Sequence, residues 1–365
     1  MRVNKLEFDR FRNLQAGTLV PCENVNVITG ENAQGKTNLL EALWLFTGAR
    51  SFRGAKDKEL IRIGEEECRL SLDFFAAGRD QNAVITVKNK RTAELGGIKL
   101  PSAAKLAGVF CGIVFSPAHL SLIKGGPAER RRLVDAAYCQ LRPAYVHTLN
   151  EYTRILAQRN ALCKAQDTSE AADELMELWD RQLAKCGCLI IHARQVYLKR
   201  MLPVARKIYE GLSSGKETLW LSYRPTVPIT EGMTAAEIAA AFYEQLKASR
   251  EADRAAGFTT VGPHRDDVEV TVDEKNARSF ASQGQQRSAV LAMKLAEATV
   301  LEEVTGEKPI ALLDDVMSEL DTSRQEYILN HLHDWQVFIT CCDSTPLFRL
   351  IDGREFKMKQ GILYS

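Results

Sequence analysis

Residues 24–48 read NVNVITGENAQGKTNLLEALWLFTG, and the prediction of the fold starts from this stretch. Apolar residues before Gly30 predict a short buried strand. Apolar residues at three- and four-residue spacing after Thr37 predict a helix that ends at Gly48. Between strand and helix, residues 30–37 spell G-x-x-x-x-G-K-T, which lets backbone N–H groups turn towards an anion at the positive end of the helix. The stretch therefore predicts a nucleoside triphosphate site.

Individual residues in and near this loop have specific chemical roles in such a site. Gly30 and Gly35 permit backbone angles that other residues resist. Lys36 is expected to reach the β- and γ-phosphates, and Thr37 is expected to hold Mg²⁺. Arg12, one turn after the first predicted strand, is either a plain surface cation or a contact to the base or the phosphates. An ordinary glycine turn is the structural alternative for the loop as a whole.

The composition is that of an ordinary globular protein, with 45% hydrophobic and 26% charged residues in a chain of 365. This length allows two or three domains. No apolar run approaches the roughly 18 residues of a membrane span, and the first residues lack the apolar core of a signal peptide, so we expect a cytoplasmic protein. Nine cysteines, an odd number, argue against a disulfide framework. The net charge of +1 neither demands nor excludes a nucleic-acid partner.

The apolar pattern divides the chain into an α/β part and a helical part. Alternation at 67–75 and 83–88 predicts antiparallel strands. Two long runs with three- and four-residue spacing, ending near 156 and 212, predict an antiparallel helical hairpin, and a third helix is expected near 234–255. We therefore expect an α-helical insertion domain at 121–254. It would interrupt an α/β head with a mixed sheet, formed by residues 1–120 and 255–365.

A second group of motifs follows the helical part. A capping box, SQGQ at 282–285, begins a long helix. A continuous apolar strand at 310–313 then ends in two aspartates, at the edge of a parallel sheet where α/β proteins bind ligands. The first of them, Asp314, is the natural partner of Thr37 for Mg²⁺. Residues 337–340 predict one more buried strand.

Three motifs in this order resemble the ATP-binding-cassette (ABC) ATPases: SQGQQR at 282–287, LLDD at 312–315 and SELD at 318–321. Further motifs, spread from residue 11 onwards, narrow the resemblance. Together they are similar to the RecF family of bacterial DNA replication and repair proteins, in the branch of the structural-maintenance-of-chromosomes (SMC) and Rad50-like DNA enzymes. The segments that carry it are FRN, GENAQGKTNLLEALW, SFR, VFSP, ERRR, GPHRDD, SQGQQR and LLDDVMSELD.

The resemblance implies an ABC-type P-loop head and an ATP-driven dimer. In this family two heads meet head to tail, and each ATP lies between the phosphate loop of one molecule and the signature motif of the other. RecF-like proteins are weak, DNA-stimulated ATPases. They bind duplex or gapped DNA and act with RecO- and RecR-like partners to load RecA recombinase. The expected cofactors are ATP and Mg²⁺.

Site residues are carried over from the family motif by motif. Asp315 stands in the place of the catalytic carboxylate that orients the attacking water, and Lys36 acts with it. The residues expected to serve ATP in cis are Arg12, Asn13, Gly30, Glu31, Asn32, Ala33, Gln34, Gly35, Lys36, Thr37 and Asn38, with Thr37 and Asp314 for Mg²⁺. The residues expected to act in trans are Ser282, Gln283, Gly284 and Gln285, and the D-loop contributes Ser318 and Asp321.

The chain also departs from the ABC pattern. The usual histidine after the strand at 337–340 is replaced by TCCD at 340–343. The usual glutamine after the strand at 109–115 is replaced by SPAH at 116–119, where His119 also stands in place of an expected acidic residue. These departures, with Asp315 in place of glutamate, fit slow hydrolysis better than a fast motor.

Two sets of polar residues have open interpretations. Basic residues near the start of the helical hairpin either form a solvated helix face or contact DNA phosphates. The segment HRD at 264–266 is either a structural turn or part of the nucleotide site or dimer seam. The first basic cluster is Lys124, Arg130, Arg131 and Arg132, and a second is Lys199, Arg200, Arg206 and Lys207.

Two other functions compete with an ATP-gated DNA clamp. An ABC subunit that powers a membrane transporter would need a coupling surface for a membrane partner, which the long helical hairpin and GPHRDD do not suggest. A small-molecule P-loop kinase would leave SQGQQR and SELD unexplained.

Overall fold

The computed structural model describes residues 1–166, 169–344 and 353–364. The chain forms two compact units. Unit 1 consists of Met1–Leu120, Ile208–Gly215 and Arg287–Ser365, and unit 2 of Ser121–Lys207 and Lys216–Gln286. Within the described residues, every helix is too short or too polar to cross a membrane.

Most of the helices lie between residues 121 and 305, and most of the strands lie before or after that part of the chain. The strands are β1 (Arg2–Asp9), β2 (Gly17–Leu19), β3 (Val25–Thr29), β4 (Cys68–Ala76), β5 (Arg79–Val87), β6 (Arg91–Leu95), β7 (Ile98–Lys99), β8 (Gly112–Phe115), β9 (Leu219–Arg224), β10 (Asp267–Val272), β11 (Lys275–Asn276), β12 (Ile310–Asp314), β13 (Val337–Cys341), β14 (Gly353–Lys359) and β15 (Ile362–Tyr364). The α-helices are α1 (Lys36–Leu45), α2 (Ser121–Lys124), α3 (Pro127–Leu141), α4 (Tyr145–Ala165), α5 (Glu170–Leu212), α6 (Ala235–Ala256), α7 (Ala277–Phe280), α8 (Gln283–Thr305) and α9 (Thr322–His331).

Unit 1 contains a mixed sheet with the strand order β15-β14-β3-β13-β12-β8. All neighbours pair in parallel except β14 and β15. The central strands β12 and β13 are buried at every position, which explains their continuous apolar sequences. Because β13 lies between β3 and β12, the loops that follow these three strands meet at one edge of the sheet.

A second, antiparallel sheet in unit 1 has the order β2-β1-β4-β5-β6-β7. The alternation that predicted strands near 67–75 and 83–88 is confirmed by β4 and β5, whose register pairs Cys68 with Val87. Residues of this sheet, of the mixed sheet and of α1 share one hydrophobic core. One contact in it is the edge-to-face pair of Phe74 and Phe110, with ring centroids 5.4 Å apart.

Unit 2 is built around α4, α5 and α6. The Cys186 thiol contacts the backbone oxygen of Thr148, and Arg159 pairs with Asp180, so α5 runs antiparallel to α4 and confirms the predicted hairpin. The first predicted run is not one helix, however: it divides into α3 and α4 at Arg142, which has φ −138° and ψ 85°. Proline at 143 explains the break, because the residue before a proline disfavours the helical conformation.

Unit 2 is also less purely helical than expected for an insertion at 121–254. Strand β9 pairs with β10, and the pair forms a three-stranded antiparallel sheet with β11. This pairing places residues 255–286 in unit 2, whereas the sequence assigned them to the head. Strand β9 is six residues long and its partner β10 is distant in sequence, so local pattern gave little sign of it.

Candidate nucleotide site

The phosphate loop, residues 30–37, joins β3 to α1 as the sequence predicts. Gly30 has φ 154° and Gly35 has φ 115°, angles that favour glycine. A Cβ atom on Gly30 would lie 2.3 Å from the backbone oxygen of Met358 on β14, and one on Gly35 would lie 2.9 Å from Asn13 Oδ1. Gly30 is therefore required by its backbone angle and by the nearby Met358 backbone, whereas Gly35 is favoured mainly by its backbone angle.

Lys36 is the first residue of α1 and is only 4% exposed. Its Nζ donates hydrogen bonds to the backbone oxygens of Gly30 (2.6 Å) and Glu31 (3.0 Å). The ammonium group is thus held inside the curve of the loop, where a phosphate would meet it. Cys342 Sγ lies 3.7 Å from the same nitrogen and 3.3 Å from Asn32 Oδ1.

Thr37 and Asp314 are brought together, although 277 residues separate them in sequence. The Thr37 hydroxyl donates to Asp314 Oδ1 at 2.7 Å, and the Thr340 hydroxyl donates to the same oxygen at 2.9 Å. Burial raises the pKa of Asp314, the two hydroxyl hydrogen bonds lower it, and the neighbouring Asp315 charge raises it, with a net rise. A hydroxyl and a carboxylate at this edge form a donor set suited to Mg²⁺.

Asp315 follows β12 with φ 53°, a left-handed conformation that aspartate tolerates better than most residues. Its backbone N–H donates to Thr340 Oγ1 at 2.9 Å, and its backbone oxygen accepts from the Ser318 hydroxyl at 2.8 Å. The peptide groups around Asp315 are therefore held on both sides.

The residues predicted beside the loop form a chain of hydrogen bonds. Asn13 Nδ2 donates to the backbone oxygen of Ala33 (3.1 Å), and Asn38 Nδ2 donates to Asn13 Oδ1 (2.7 Å). Arg53 Nη1 in turn donates to Asn38 Oδ1 at 2.7 Å. The chain braces the loop from the solvent side and adds an exposed cation, Arg53, to its rim.

Arg12 has a different environment from Asn13. Its guanidinium makes two hydrogen bonds, of 2.9 and 3.0 Å, to the carboxylate of Glu41 on α1. Glu41 is fully buried and also accepts a hydrogen bond from Ser51. Arg12 therefore balances the charge of the buried Glu41 and is not a plain surface cation, while its contact to the base or the phosphates stays a prediction.

The signature segment begins α8, and its predicted capping box is confirmed. The Ser282 N–H donates to Gln285 Oε1 (2.7 Å), and the Gln285 N–H donates to Ser282 Oγ (3.2 Å). Gln285 Nε2 also donates to Glu217 Oε1 at 2.8 Å. Ser282 and Gln283 are exposed, while Gly284 is half-buried in the first turn.

In the D-loop, residues 318–321, the two predicted residues have clear local roles. Ser318 bonds to the backbone of Asp315, as described above. Asp321 is the N-cap of α9: its side chain accepts from the Arg324 N–H at 3.0 Å and forms an ion pair with the Arg324 guanidinium. Hydrogen bonds within the cap lower the pKa of Asp321.

The basic cluster predicted to contact DNA is split by the structure. Arg130 is 6% exposed and pairs with both carboxylate oxygens of Asp267, at 2.8 and 2.9 Å. It is a buried structural cation, so its assignment as a phosphate contact was wrong. Arg131 is half-buried and donates to the backbone of Asp266, while Lys124 and Arg132 are exposed.

The HRD segment fits the structural interpretation. His264 Nδ1 lies 2.7 Å from the Tyr152 hydroxyl and its Nε2 lies 3.0 Å from the Thr259 backbone oxygen. Asp266 is fully buried and accepts from the N–H and the hydroxyl of Thr226. Burial lowers the pKa of His264 to about 4 and raises that of Asp266.

At the position of the missing glutamine, His119 also has a local role. Its Nδ1 accepts a hydrogen bond from the Ser116 N–H at 3.1 Å, which closes the turn after β8. Burial and the charge of Lys294 lower the pKa of His119 to about 3, so the ring is neutral.

Sequence reasoning missed several residues at the site. Arg53 was quoted only as part of SFR, and Thr340 and Cys342 only as replacements for a histidine. Gln360, in the turn between β14 and β15, donates its N–H to Gln34 Oε1 at 2.5 Å. Only the SFR motif gave a local signal. The contacts of Cys342 and Gln360 join segments more than 300 residues apart, and those of Thr340 depend on the pairing of β12 with β13.

Comparison with known proteins gives a consistent result. The family model "RecF/RecN/SMC N terminal domain" matches residues 2–349. The chain is 36% identical to the DNA replication and repair protein RecF of Acetivibrio thermocellus, covering 98% of this chain and 96% of that protein. It is 37% identical to RecF of Syntrophotalea carbinolica, covering 100% and 99%.

Solved structures agree with this. A structure of the recombination mediator protein RecF with ATP, from the RecFOR pathway, matches with a TM-score of 0.93 and 36% identity, covering 100% of this chain and 97% of that one. The Smc head domain of Pyrococcus furiosus matches with a TM-score of 0.55 and 14% identity, covering 99% and 95%, and supports the fold alone. The expected fold, an ABC-type ATPase head with an inserted helical region, is confirmed. The chain belongs to the RecF family of DNA replication and repair proteins.

Proposed function

We propose that this protein is an ATP-dependent DNA-binding protein of recombinational repair and replication restart. ATP would join two molecules head to tail, the dimer would bind duplex or gapped DNA, and slow hydrolysis would release it. The observation that carries the proposal is the convergence of Lys36, Thr37 and Asp314 at one edge of the mixed sheet. Membership of the RecF family makes a transporter subunit or a small-molecule kinase the weaker alternative.

The residues present fit ATP and Mg²⁺. A loop in which Gly30 and Gly35 adopt positive φ angles can turn its backbone N–H groups towards phosphates. Lys36 would hold the terminal phosphates, and Thr37 and Asp314 would hold the metal. Mg²⁺ bound there would neutralise phosphate charge. Asp315, kept in place by its backbone, would orient water as the catalytic carboxylate.

The second half of the site is proposed to come from a second copy. Ser282 and Gln283 are exposed, and the start of α8 presents amide groups and a helix dipole to an anion. Ser282, Gly284 and Gln285 would therefore contact the γ-phosphate in trans, and the D-loop would lie at the seam. The departures at 340–343 and 116–119, together with Asp315, support weak rather than fast hydrolysis.

Partners are proposed from the relatives. A solved RecF structure is described as belonging to the RecFOR pathway, which supports RecO- and RecR-like partners for this chain, with RecA as an indirect one. Contact with DNA phosphates is proposed for Lys124, Arg131 and Arg132. The cytoplasmic location and the division into a head and a functional insertion domain stay predictions.

One experiment tests the core of the proposal. The full chain is sedimented with and without ATP and Mg²⁺, each time alone and with gapped duplex DNA. A dimer should form only when nucleotide is present, and DNA should bind only under the conditions in which the dimer forms. Lys36→Ala should weaken ATP binding at least about tenfold, because it removes a charge-assisted contact to phosphate. Dimer mass and DNA affinity that do not depend on ATP would contradict the proposal.

A further inference from the structure

Thr340 contacts the two aspartates at the end of β12, through the carboxylate of Asp314 and the backbone N–H of Asp315. It lies on β13, where the parallel register pairs it directly with Asp314. Its side chain is 0% exposed, and its hydroxyl is within 2.9 Å of both Asp314 Oδ1 and the Asp315 backbone nitrogen.

The direction of these two hydrogen bonds is fixed by chemistry. The N–H of Asp315 can only donate, so the Thr340 oxygen must accept from it. An ionised Asp314 can only accept, so the single hydroxyl proton of Thr340 must point to it. The hydroxyl therefore joins a side-chain carboxylate to the backbone of the next residue, with both of its polar functions used.

The two partners need this support for different reasons. Asp314 Oδ1 accepts from Thr37 and from Thr340, and two donors fix the orientation of its carboxylate plane. Asp315 has a left-handed backbone with φ 53°, which costs free energy for a non-glycine residue and persists only when neighbours hold it. Thr340 holds its N–H side and Ser318 its carbonyl side.

We propose that Thr340 is a positioning residue that couples the metal-binding carboxylate, Asp314, to the water-orienting carboxylate, Asp315. This rests on the proposed ATP-hydrolysing function of the site. Threonine suits the task because its branched side chain fills a buried position of a central strand while its hydroxyl makes both bonds. Valine would fill the same space. It would leave the Asp315 N–H without its acceptor, and Asp314 Oδ1 would lose one of its two hydrogen-bond donors.

The test compares Thr340→Val with Thr340→Ser in the full-length protein, and Thr47→Val is the matched control. Thr47 is 1% exposed, and its hydroxyl likewise donates once, to the Trp44 oxygen at 2.8 Å, and accepts once, from the Ala49 N–H at 3.4 Å. It lies two residues beyond the end of α1, and both of these hydrogen-bond partners belong to residues 44–49. Both valine variants lose a buried hydroxyl, but only Thr340→Val loses one at the site.

Calorimetric titration with ATP, with and without Mg²⁺, and steady-state phosphate release are the readouts. Thr340→Val should keep its ATP affinity without Mg²⁺ within about twofold, lose most of the gain that Mg²⁺ gives, and show a kcat at least about tenfold lower. Thr340→Ser should restore most of both, and Thr47→Val should match the wild type. If Thr340→Val does not fold, Thr340→Cys, which puts a weaker hydrogen-bonding thiol in place of the hydroxyl, is measured in its place.

The outcomes separate this inference from the function on which it rests. A wild-type protein that neither binds ATP nor hydrolyses it would remove the proposed function itself. A wild type that shows both, with Thr340→Val equal to Thr47→Val in kcat and in Mg²⁺ dependence, would overturn the role of Thr340 alone. A folded Thr340→Ser as impaired as Thr340→Val would also overturn it, because the hydroxyl would not be the determinant.

Discussion

At the scale of single residues, His264 is buried between the hydroxyl of Tyr152 and the backbone oxygen of Thr259. The Tyr152 hydroxyl can donate to Nδ1, and the Thr259 carbonyl oxygen can accept only from a protonated Nε2. Burial lowers the pKa of the ring to about 4, and the charges of Arg265 and Arg131 act in the same direction. An unfolded chain would restore a pKa near 6.5.

This difference predicts an acid-sensitive fold. Above pH 7 the ring is neutral in both states. Between about pH 6.5 and 4 the ring is protonated in the unfolded state but not in the folded state, so the free energy of unfolding decreases as the pH is lowered. His264→Gln, which keeps a donor and an acceptor without titrating, should reduce the loss of unfolding free energy between pH 7 and pH 5 by about 2 kcal/mol. Urea unfolding at both pH values measures this.

The control for this prediction is His192→Gln, because His192 is exposed on α5. It should keep the acid loss of the wild type. An equal acid loss in His264→Gln and in the wild type would show that His264 is protonated in the folded protein at pH 5.

At this scale, a residue's role could be predicted from the sequence when the residues that define the role lie close together along the chain. Lys36 and Thr37 could be placed because their roles are encoded within eight residues. Asp314 could be placed because an apolar strand ending in aspartate is itself a local signal. The bonds of Thr340 and Gln360 were invisible, since they depend on strand order and on register across the mixed sheet.

At the scale of elements, the packing of unit 2 depends on a glycine in the middle of α5. Gly187 faces α4 and α6, and a Cβ atom there would lie 2.5 Å from a ring carbon of Phe242 and 3.0 Å from one of Tyr152. Both rings are buried, at 0% and 4% exposure. The segment Cys186-Gly187-Cys188 is thus a close helix contact.

Gly187→Ala should therefore destabilise the protein, although alanine favours helix. Helix propensity gains about 1 kcal/mol, but overpacking of a tight core costs roughly 1–3 kcal/mol, so a net loss of about 1 kcal/mol is expected. Gly126→Ala is the control, because Gly126 has φ −80° and open space around its Cα. The denaturant midpoints of the two variants are compared. A Gly187 variant as stable as the control would mean that the rings of Phe242 and Tyr152 move away at no cost in free energy.

Periodicity predicted α5 and α6 well because each carries a long apolar face. It failed at the break between α3 and α4, because the apolar spacing continues across Arg142 although the helical backbone conformation is interrupted there. It also gave no warning of β9, whose six residues gain their stability from β10 rather than from their own pattern.

At the scale of the whole molecule, dimerisation can be separated from nucleotide binding. Ser282→Arg places a long cation on the exposed first turn of α8, so the monomer should bind ATP as the wild type does but should not dimerise. Ser282→Ala is the control for the lost cap, which costs about 1 kcal/mol. Sedimentation and ATP titration measure both properties, and loss of ATP binding in the arginine variant would contradict a role in trans.

DNA binding should depend on the exposed cations but not on the buried one. Lys124→Ala and Arg132→Ala should each weaken duplex binding and reduce the slope of log affinity against log salt by about 1. Arg130→Ala should instead lower stability, because it leaves Asp267 without its partner. An unchanged salt slope in both exposed variants would move the DNA surface elsewhere.

The strand order of the mixed sheet has a consequence for synthesis of the protein. Gln34 in the phosphate loop is held by Gln360, which lies 326 residues later in the chain. A ribosome adds about 5–20 residues per second, so roughly a quarter of a minute to a minute passes before the loop meets its last support. For most of that interval, β3 has been synthesised but its neighbouring strands β13 and β14 have not. The complete nucleotide site, which needs Asp314 as well as the bond between Gln34 and Gln360, therefore forms only after nearly all of the chain has been made.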